Sequence, residues 1–435
     1  MSEKQDPEYL PTTLKEGKIP SSSGLSGARL QRTNLNRKRV SLASSLVFTP
    51  ASAATSARGS FLRVVAGLVF GLKAFRLTTG RITATSGSGF TPCPLCASSM
   101  QPERFDQIAA EFSKKRLLVI GDIMLDGYVW GRVSRISPEA PVPVVEVVRE
   151  SFFPGGAANV ARNVRECGAE VYVMGLVGKD SSAGKLRSIL EAGGMRLETL
   201  AVESDFQTIV KTRIIARQQQ LVRVDHERSH AVSPGSLEKC LAQIKEMLPE
   251  LDGIIFEDYG KGFVVQSFVD QVAGLARAAG KVITADPNPR SPIEWKHFTA
   301  VKPNRSEAFA AANVPWQEPA TEPGRDHNLL EIGKRLLQRW EPDQLLITLG
   351  EQGMMLFAKG EDPHHIPPQA REIYDLSGAG DTAIALFTLA LVSGATPLEA
   401  AELSNHASGV VVAKLGTATV TPAELRESLT SSHLR

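Results

Sequence analysis

Between Arg116 and Lys414 the chain alternates short apolar runs with amphipathic stretches, and few folds accommodate that alternation. Leu117–Gly121, Glu170–Val177, Gly253–Phe256, Lys281–Ala285 and Gln344–Leu349 read as strands. Ala157–Cys167, Leu237–Leu248, Val265–Ala279 and Leu329–Trp340 read as the helices between them, and Thr382–Ser393 and Pro397–Lys414 as two closing helices. Strands alternating with helices build an α/β fold whose parallel sheet is covered on both faces. Ligands of such sheets bind beyond the carboxyl ends of the strands. Two regions break the rhythm. Val142–Phe152 and Thr208–Asp225 are extended, with Ile209–Ala216 and Gln220–Val224 suited to a hairpin. They predict a small projecting β-sheet, a lid over roughly 130–153 and 206–226. Its exposed edges and apolar face would be covered by a second copy, giving a homodimer.

The chain of 435 residues carries a formal charge of +2, which hides two unlike segments. Residues 1–99 hold 13 Lys and Arg against 4 Asp and Glu, leaving 36 basic and 43 acidic residues for 100–435. The leader is rich in Ser, Thr, Ala, Gly and Arg and lacks periodicity, as a disordered segment would. Three readings of it stand open. An amphipathic helix begins directly after Met100, which favours Met100 as the start and the leader as an over-extended gene model. The Ser/Arg-rich composition suits an organelle transit peptide, although all four acids fall in the first sixteen residues. The third reading is a disordered tail. Its apolar run Phe61–Phe75 contains Arg63 and Lys73 and is too short to span a bilayer, so no stable membrane association is expected. The acidic body argues against a nucleic-acid footprint. Cys167 and Cys240 lie far apart in helical patterns, which suits a reducing cytoplasm. Cys93 and Cys96 form a lone CxxC, a weak zinc motif without a second pair or histidines.

The segment Asp375-Leu-Ser-Gly-Ala-Gly-Asp381 opens the apolar helical run near the end of the chain. Unpaired amides at a helix N-terminus favour anions, and Gly378 and Gly380 let backbone approach a phosphate. Asp381 beside such a phosphate makes sense as a general base taking a proton from an attacking hydroxyl. An Asp in a Gly-rich turn would equally serve as a helix cap. Upstream, Gly121-Asp122-Ile-Met-Leu-Asp126 ends the first strand, and Pro154-Gly155-Gly156-Ala-Ala-Asn159 opens a helix. Carboxylates, a Gly-Gly turn and an amide suit a polyhydroxylated ligand.

Together, Gly155-Gly156 with Asn159 and the segment Asp375–Asp381 resemble the ribokinase-like (PfkB) family of sugar kinases, over residues 115–427. The resemblance implies a three-layer α/β/α sandwich with a β-sheet lid. Ser134-Arg-Ile-Ser-Pro-Glu-Ala-Pro-Val-Pro143 is similar to the branch acting on D-glycero-β-D-manno-heptose 7-phosphate. So are Arg217-Gln-Gln-Gln-Leu-Val-Arg-Val-Asp225, Asp258-Tyr-Gly-Lys-Gly262 and Lys414-Leu-Gly-Thr-Ala-Thr-Val420. In many bacteria this kinase is fused to a nucleotidyltransferase. The chain ends at Arg435 without an HxGH-type motif, so the expectation is the stand-alone kinase form.

The roles that follow are what the resemblance implies. Asp381 is the base, and Gly378, Ala379 and Gly380 supply amides to the transferring phosphoryl group. Asp126, Gly155, Gly156 and Asn159 hold sugar hydroxyls. Asn304 and Glu307, in Lys302-Pro-Asn-Arg-Ser-Glu307, organise Mg²⁺ through water; an ordinary exposed helix residue is the other reading of Glu307. Thr348, Gly350 and Asn405 line the ATP site, with His406 an unexpectedly large neighbour of Asn405. Asp375 and Ser377 lie where some relatives bind K⁺. Arg135, Lys211, Arg213, Arg217 and Lys261 are candidates for the sugar's 7-phosphate, with Lys261 alternatively on the ATP phosphates, and Asp258 joins the substrate set. The expected activity is ATP-dependent phosphorylation at C1, yielding heptose 1,7-bisphosphate for ADP-heptose and lipopolysaccharide core synthesis in the cytoplasm. The alternatives are another sugar or nucleoside kinase of the family, or a non-catalytic sugar-phosphate sensor.

Overall fold

A computed structural model of the chain describes residues 100–433 apart from 218, 229–231, 320 and 370–372. The leader and its CxxC lie outside the described residues.

The first strand shows why the core has two halves. Leu117 and Val119 pack into one apolar cluster and Leu118 and Ile120 into another, the period-2 signature of a strand buried on both faces. In chain order, helix α1 (Pro102–Phe112) precedes β1 (Arg116–Gly121), the long strands β2 (Ile123–Ile136) and β3 (Pro143–Gly156), α2 (Ala157–Glu166) and β4 (Glu170–Gly178). Then come α3 (Ser181–Ala192), β5 (Leu200–Glu203), the hairpin β6 (Ile209–Ala216) and β7 (Gln219–His226), and α4 (Pro234–Met247). The run continues through β8 (Gly253–Glu257), α5 (Gln266–Ala278), β9 (Val282–Asp286), β10 (Ala300–Val301), α6 (Arg305–Ala311) and α7 (His327–Trp340). It closes with β11 (Gln344–Thr348), β12 (Met354–Ala358), β13 (His364–Ile366), α8 (Ala379–Val392), α9 (Pro397–Val412) and α10 (Pro422–His433).

Nine strands form the main sheet in the order β13-β12-β11-β10-β9-β8-β1-β4-β5, parallel except for β12 and β13. Residues of α1, α2, α8, α9 and α10 pack on one face and those of α4 to α7 on the other. The α/β/α sandwich expected from the alternation is therefore present. The antiparallel edge β12–β13 and helices α3, α6 and α10 extend it beyond the elements read from sequence. Register sets the next level. Gly121 pairs with Glu257, and Glu257 with Asp286, so the carboxyl ends of β1, β8 and β9 form one row.

A second sheet, in the order β3-β2-β6-β7, stands apart from the first. It is longer than the sequence suggests, because β2 starts two residues after β1 ends, with Asp122 at the joint. Along it Ile136, Val147, Val148, Leu221, Val222 and Val224 are exposed, an apolar surface unusual for a solvated sheet. Among the described residues, no helix is long and apolar enough to cross a membrane.

Helix α8 starts at Ala379, three residues before the apolar run in the sequence, because Gly378 makes the turn with φ +81°. Asp381 thereby falls inside its first turn. From Asp381 to Ala390 every residue of α8 is buried, so this helix is a central pillar rather than a surface element. Replacing Phe387, fully buried in it, by Ala should cost about 3–5 kcal/mol, read as a lowered urea midpoint. An unchanged midpoint would show that α8 is not under this packing constraint.

Candidate active site

Asp381 is 4% exposed, and each carboxylate oxygen meets a donor. The Asn159 side-chain amide donates to Oδ2 at 2.7 Å, and the Tyr259 hydroxyl donates to Oδ1 at 2.8 Å. Burial pushes the Asp381 carboxyl up, against the pull of these two hydrogen bonds and of Lys302, with Asp126 adding a further upward push. Asn159 is itself fixed, since Asn163 bonds its carbonyl at 3.0 Å and Thr382 of α8 bonds Asn163 at 3.1 Å. Gly378 is required on two counts. Its φ is positive, and a Cβ there would lie 2.7 Å from the Asn159 amide nitrogen.

Beneath the first turn of α8 lies a charged floor. Lys302, 2% exposed, pairs with Asp286 at 2.7 Å. Burial pulls Lys302 down, but Asp286 and Glu307 outweigh it and its pKa is raised, so the ammonium is retained. Burial pushes Asp286 up to about 7 against the pull of Lys302. Glu257, also buried and with Oε2 unpartnered, is driven well above the carboxylate range by burial and then by Asp286 and Asp381. Glu307 closes a capping box with Asn304: each side chain accepts the other's backbone N–H, at 2.7 and 2.9 Å. Glu307 is half-buried, and burial raises its pKa. It therefore has a helix-capping duty and also lines the site.

A cavity of about 580 Å³ opens over this floor and includes Glu257, Asp286, Lys302, Asn304, Glu307, Thr348, Gly350, Gly378, Gly380 and Asp381. A second of about 440 Å³, largely apolar, shares Thr348, Gly350 and Gly380 with it and adds Ala379 and Asn405. The Asn405 amide donates to the Pro367 carbonyl at 2.7 Å. His406 is buried against Ser428, 2.8 Å away, and belongs to the core.

The lid supplies the other wall. Asp126, 5% exposed, accepts from Arg213 at 2.6 Å, and a Cβ on Gly155 would lie 2.3 Å from its Oδ2. Gly156, at φ +59°, passes so close to Asp122 that a Cβ would lie 2.4 Å from that carbonyl. Burial, then Lys261, pull the pKa of Lys211 down, a sign of crowded cations. Lys261 itself pairs with Glu227 at 2.7 Å. Arg217 turns the β6–β7 hairpin at φ +49°.

One candidate sits otherwise than the sequence suggests. Arg135 is exposed and lies nine residues along β2 from Asp126, on the order of 30 Å at strand rise, so this chain does not bring it to the site. Asp258 lines the larger cavity; its Oδ1 accepts from the Gly260 amide and the Ser291 hydroxyl at 2.8 and 3.0 Å, its Oδ2 is unpartnered, and burial lifts it to about 6. Asp375 accepts from the amides of Ser377 and Gly416 at 2.9 and 3.0 Å, fastening two loops together. Conversely, the sequence assigns no role to Glu257, Tyr259, Asp286 and Lys302, and marks Asp122 only as one of two carboxylates after the first strand. An acid ending a buried strand, as in Ile-Ile-Phe-Glu257 and Thr-Ala-Asp286, was the signal available for two of them.

Residues 114–424 match the profile of the pfkB family of carbohydrate kinases. The chain belongs to this family. As a pfkB sugar kinase it is a phosphotransferase by class, and two relatives refine the likeness. The bifunctional protein HldE of Desulfatibacillum aliphaticivorans is 41% identical over 318 residues, covering 73% of this chain and 64% of that protein. HldE of Edwardsiella ictaluri is 41% identical over 329 residues, with 73% and 64% covered. The chain thus spans less than two thirds of these curated relatives. Among solved structures, Escherichia coli phosphofructokinase-2 in complex with potassium superposes with a TM-score of 0.59 at 18% identity, covering 73% of this chain and 98% of that one. Arabidopsis thaliana ribokinase complexed with ribose and ATP gives 0.55 at 18% identity, covering 72% and 98%. These two establish the ribokinase-like fold.

Gly378→Ala should lower stability by about 1–2 kcal/mol through left-handed strain alone. It should also displace Asn159 and reduce kinase turnover more than a stability loss of that size explains. Thermal melts alongside turnover at a temperature where both proteins are folded would show this; wild-type turnover in the variant would remove Gly378 from the site's essential geometry.

Proposed function

We propose that the chain transfers the γ-phosphoryl group of ATP to the C1 hydroxyl of D-glycero-β-D-manno-heptose 7-phosphate. The observation that carries the reaction type is Asp381, a buried carboxylate held by two donors in the first turn of α8, lining the larger cavity and feeling the charge of Asp126 on the lid. Support for the heptose comes from the HldE-like sequence and the blocks Ser134–Pro143, Arg217–Asp225, Asp258–Gly262 and Lys414–Val420.

In this reading the sugar lies against Asp126, Gly155, Gly156 and Asn159, with its 7-phosphate toward Lys211, Arg213 and Lys261. ATP occupies the paired cavities, its base near Asn405 and its phosphates toward Thr348, Gly350 and the α8 N-terminus. The C1 oxygen attacks the γ-phosphorus, its proton passes to Asp381, and the bond to the β-phosphate oxygen breaks to release ADP. Amides of Gly378, Ala379 and Gly380 offset charge on the equatorial oxygens. Asp286, Asn304 and Glu307 present the hard oxygen donors that suit Mg²⁺. Bound there, Mg²⁺ would neutralise phosphate charge. For K⁺, Asp375 and Ser377 offer only a loop whose carboxylate is already engaged. The exposed apolar lid surface supports a homodimer closed through the lids.

ADP release should depend on the heptose 7-phosphate and not on ribose or fructose 6-phosphate, and Asp381→Asn should lose about 10²–10⁴-fold. Turnover on another sugar would retain the family and discard the pathway; silence with every sugar would favour a sensor. Because Asp381 must be ionised to accept the proton and burial raises its pKa, activity should fall with acidification at a pH above the usual carboxylate range of about 4. An acid limb at or below 4 would contradict that assignment. Light scattering should return the mass of a dimer; a monomer at micromolar concentration would overturn lid pairing.

A further inference from the structure

Tyr259 owes its place to a carboxylate in another strand's exit loop. Asp122, 3% exposed, accepts from the backbone amides of Tyr259 and Lys261 at 2.9 Å each and of Phe263 at 3.3 Å. Asp258 closes the same loop from the other side through Gly260 and Ser291. The tyrosine so held reaches Asp381 with its hydroxyl at 2.8 Å and carries Lys211 of the lid over its ring, 5.4 Å from the centroid. Burial, then Asp381, raise the phenol's pKa well above its ordinary value, so it remains a donor.

We propose that Tyr259 is a positioning residue for phosphoryl transfer: its hydroxyl fixes the Asp381 carboxylate in one orientation, and its ring ties that orientation to Lys211 on the lid. The inference rests on reading Asp381 as the base. A carboxylate offers about four acceptor sites. Asn159 and Tyr259 take one on each oxygen, and the remaining pairs are left for the incoming hydroxyl. Without the phenol the carboxylate is free to rotate, held on one oxygen only. Of the charges that act on it, Lys302 favours ionisation and Asp126 opposes it more weakly. Glu257 of β8 and Asp286 of β9 lie near enough for the Asp381 charge to raise their own pKa values, and the Asn159 amide of α2 is the other donor on its oxygens. Tyr259 is thus one of few groups on the side of the ionised base.

The test is Tyr259→Phe, which keeps the ring and its packing, in the full chain. In protein labelled with ¹³C at the Asp carboxyls, the Asp381 resonance is the one lost in Asp381→Asn. Tyr259→Phe should move its titration upward by about one pH unit, the worth of one hydrogen bond to a charged group. Turnover should fall about tenfold with the KM for ATP unchanged, and the acid limb should shift in step with the titration. Unchanged titration and unchanged kcat, beside an inactive Asp381→Asn, would overturn the role of Tyr259 alone. Turnover by Asp381→Asn would overturn the base on which it rests. A shifted titration with unchanged kcat would also remove Tyr259 from the reaction.

Discussion

A carboxylate buried at the head of an apolar helix is the constraint that the rest of this site serves. Ionised Asp381 out of water costs several kcal/mol unless donors replace its hydration. Two donors do so, and each is held by something further away. Helices α2 and α8 are tied twice, by the Asn159 amide to Asp381 and by the Thr382 hydroxyl to Asn163, whose own amide bonds the Asn159 carbonyl. Tyr259 is fixed through Asp122 to the end of β1. The helix cannot slide to relieve the burial, because its residues from Asp381 to Ala390 are enclosed by core. Rigid packing therefore keeps a polar group where solvent would not.

The second constraint is the joint between the two sheets. β1 ends at Gly121 and β2 begins at Ile123, so the lid is a continuation of the sandwich with one residue as its corner. That residue is Asp122, and its carboxylate gathers the loop after β8 into the same corner. Close approach explains the glycines here. A Cβ on Gly121 would lie 2.0 Å from the Glu257 carbonyl, and one on Gly156 would lie 2.4 Å from that of Asp122. Lid and floor are consequently built from neighbouring strand ends, with the first turn of α8 set over them.

Much of this was legible in the sequence, for identifiable reasons. Period and length gave the strands and helices of the sandwich, because buried strands and amphipathic helices carry strong patterns. Asp381, Gly378, Asn159 and Asp126 were readable because glycines and polar residues at strand exits are conspicuous. Glu257, Asp286 and Lys302 were not, since each ends an apolar run and only register shows that they share a row. Tyr259 was invisible for another reason: its partner is 122 residues away, and nothing local marks a tyrosine as a donor to a distant carboxylate. Arg135 erred the opposite way. Its block carries a family resemblance, but strand rise takes it far from Asp126 within one chain. Short edge strands such as β13 have too few residues for a period to show.

The placement of the base also bears on why such a site would favour transfer to a sugar over transfer to water. Asp381 lines the larger cavity and feels the charge of Asp126 on the lid, so in the proposed reaction it would be within reach of both the nucleotide and the sugar. With burial and then the Asp126 charge raising its pKa, the ionised carboxylate is a stronger base than an exposed one. Left wet, a base of that strength beside a phosphoryl group would activate water. The polar groups that would hold a sugar, Asp126 with Arg213 and Asn159 with Gly155, stand on the lid side of it. In the proposed reading, a sugar filling that space would displace water from the base, so the features that bind the acceptor would also be the ones that suppress hydrolysis.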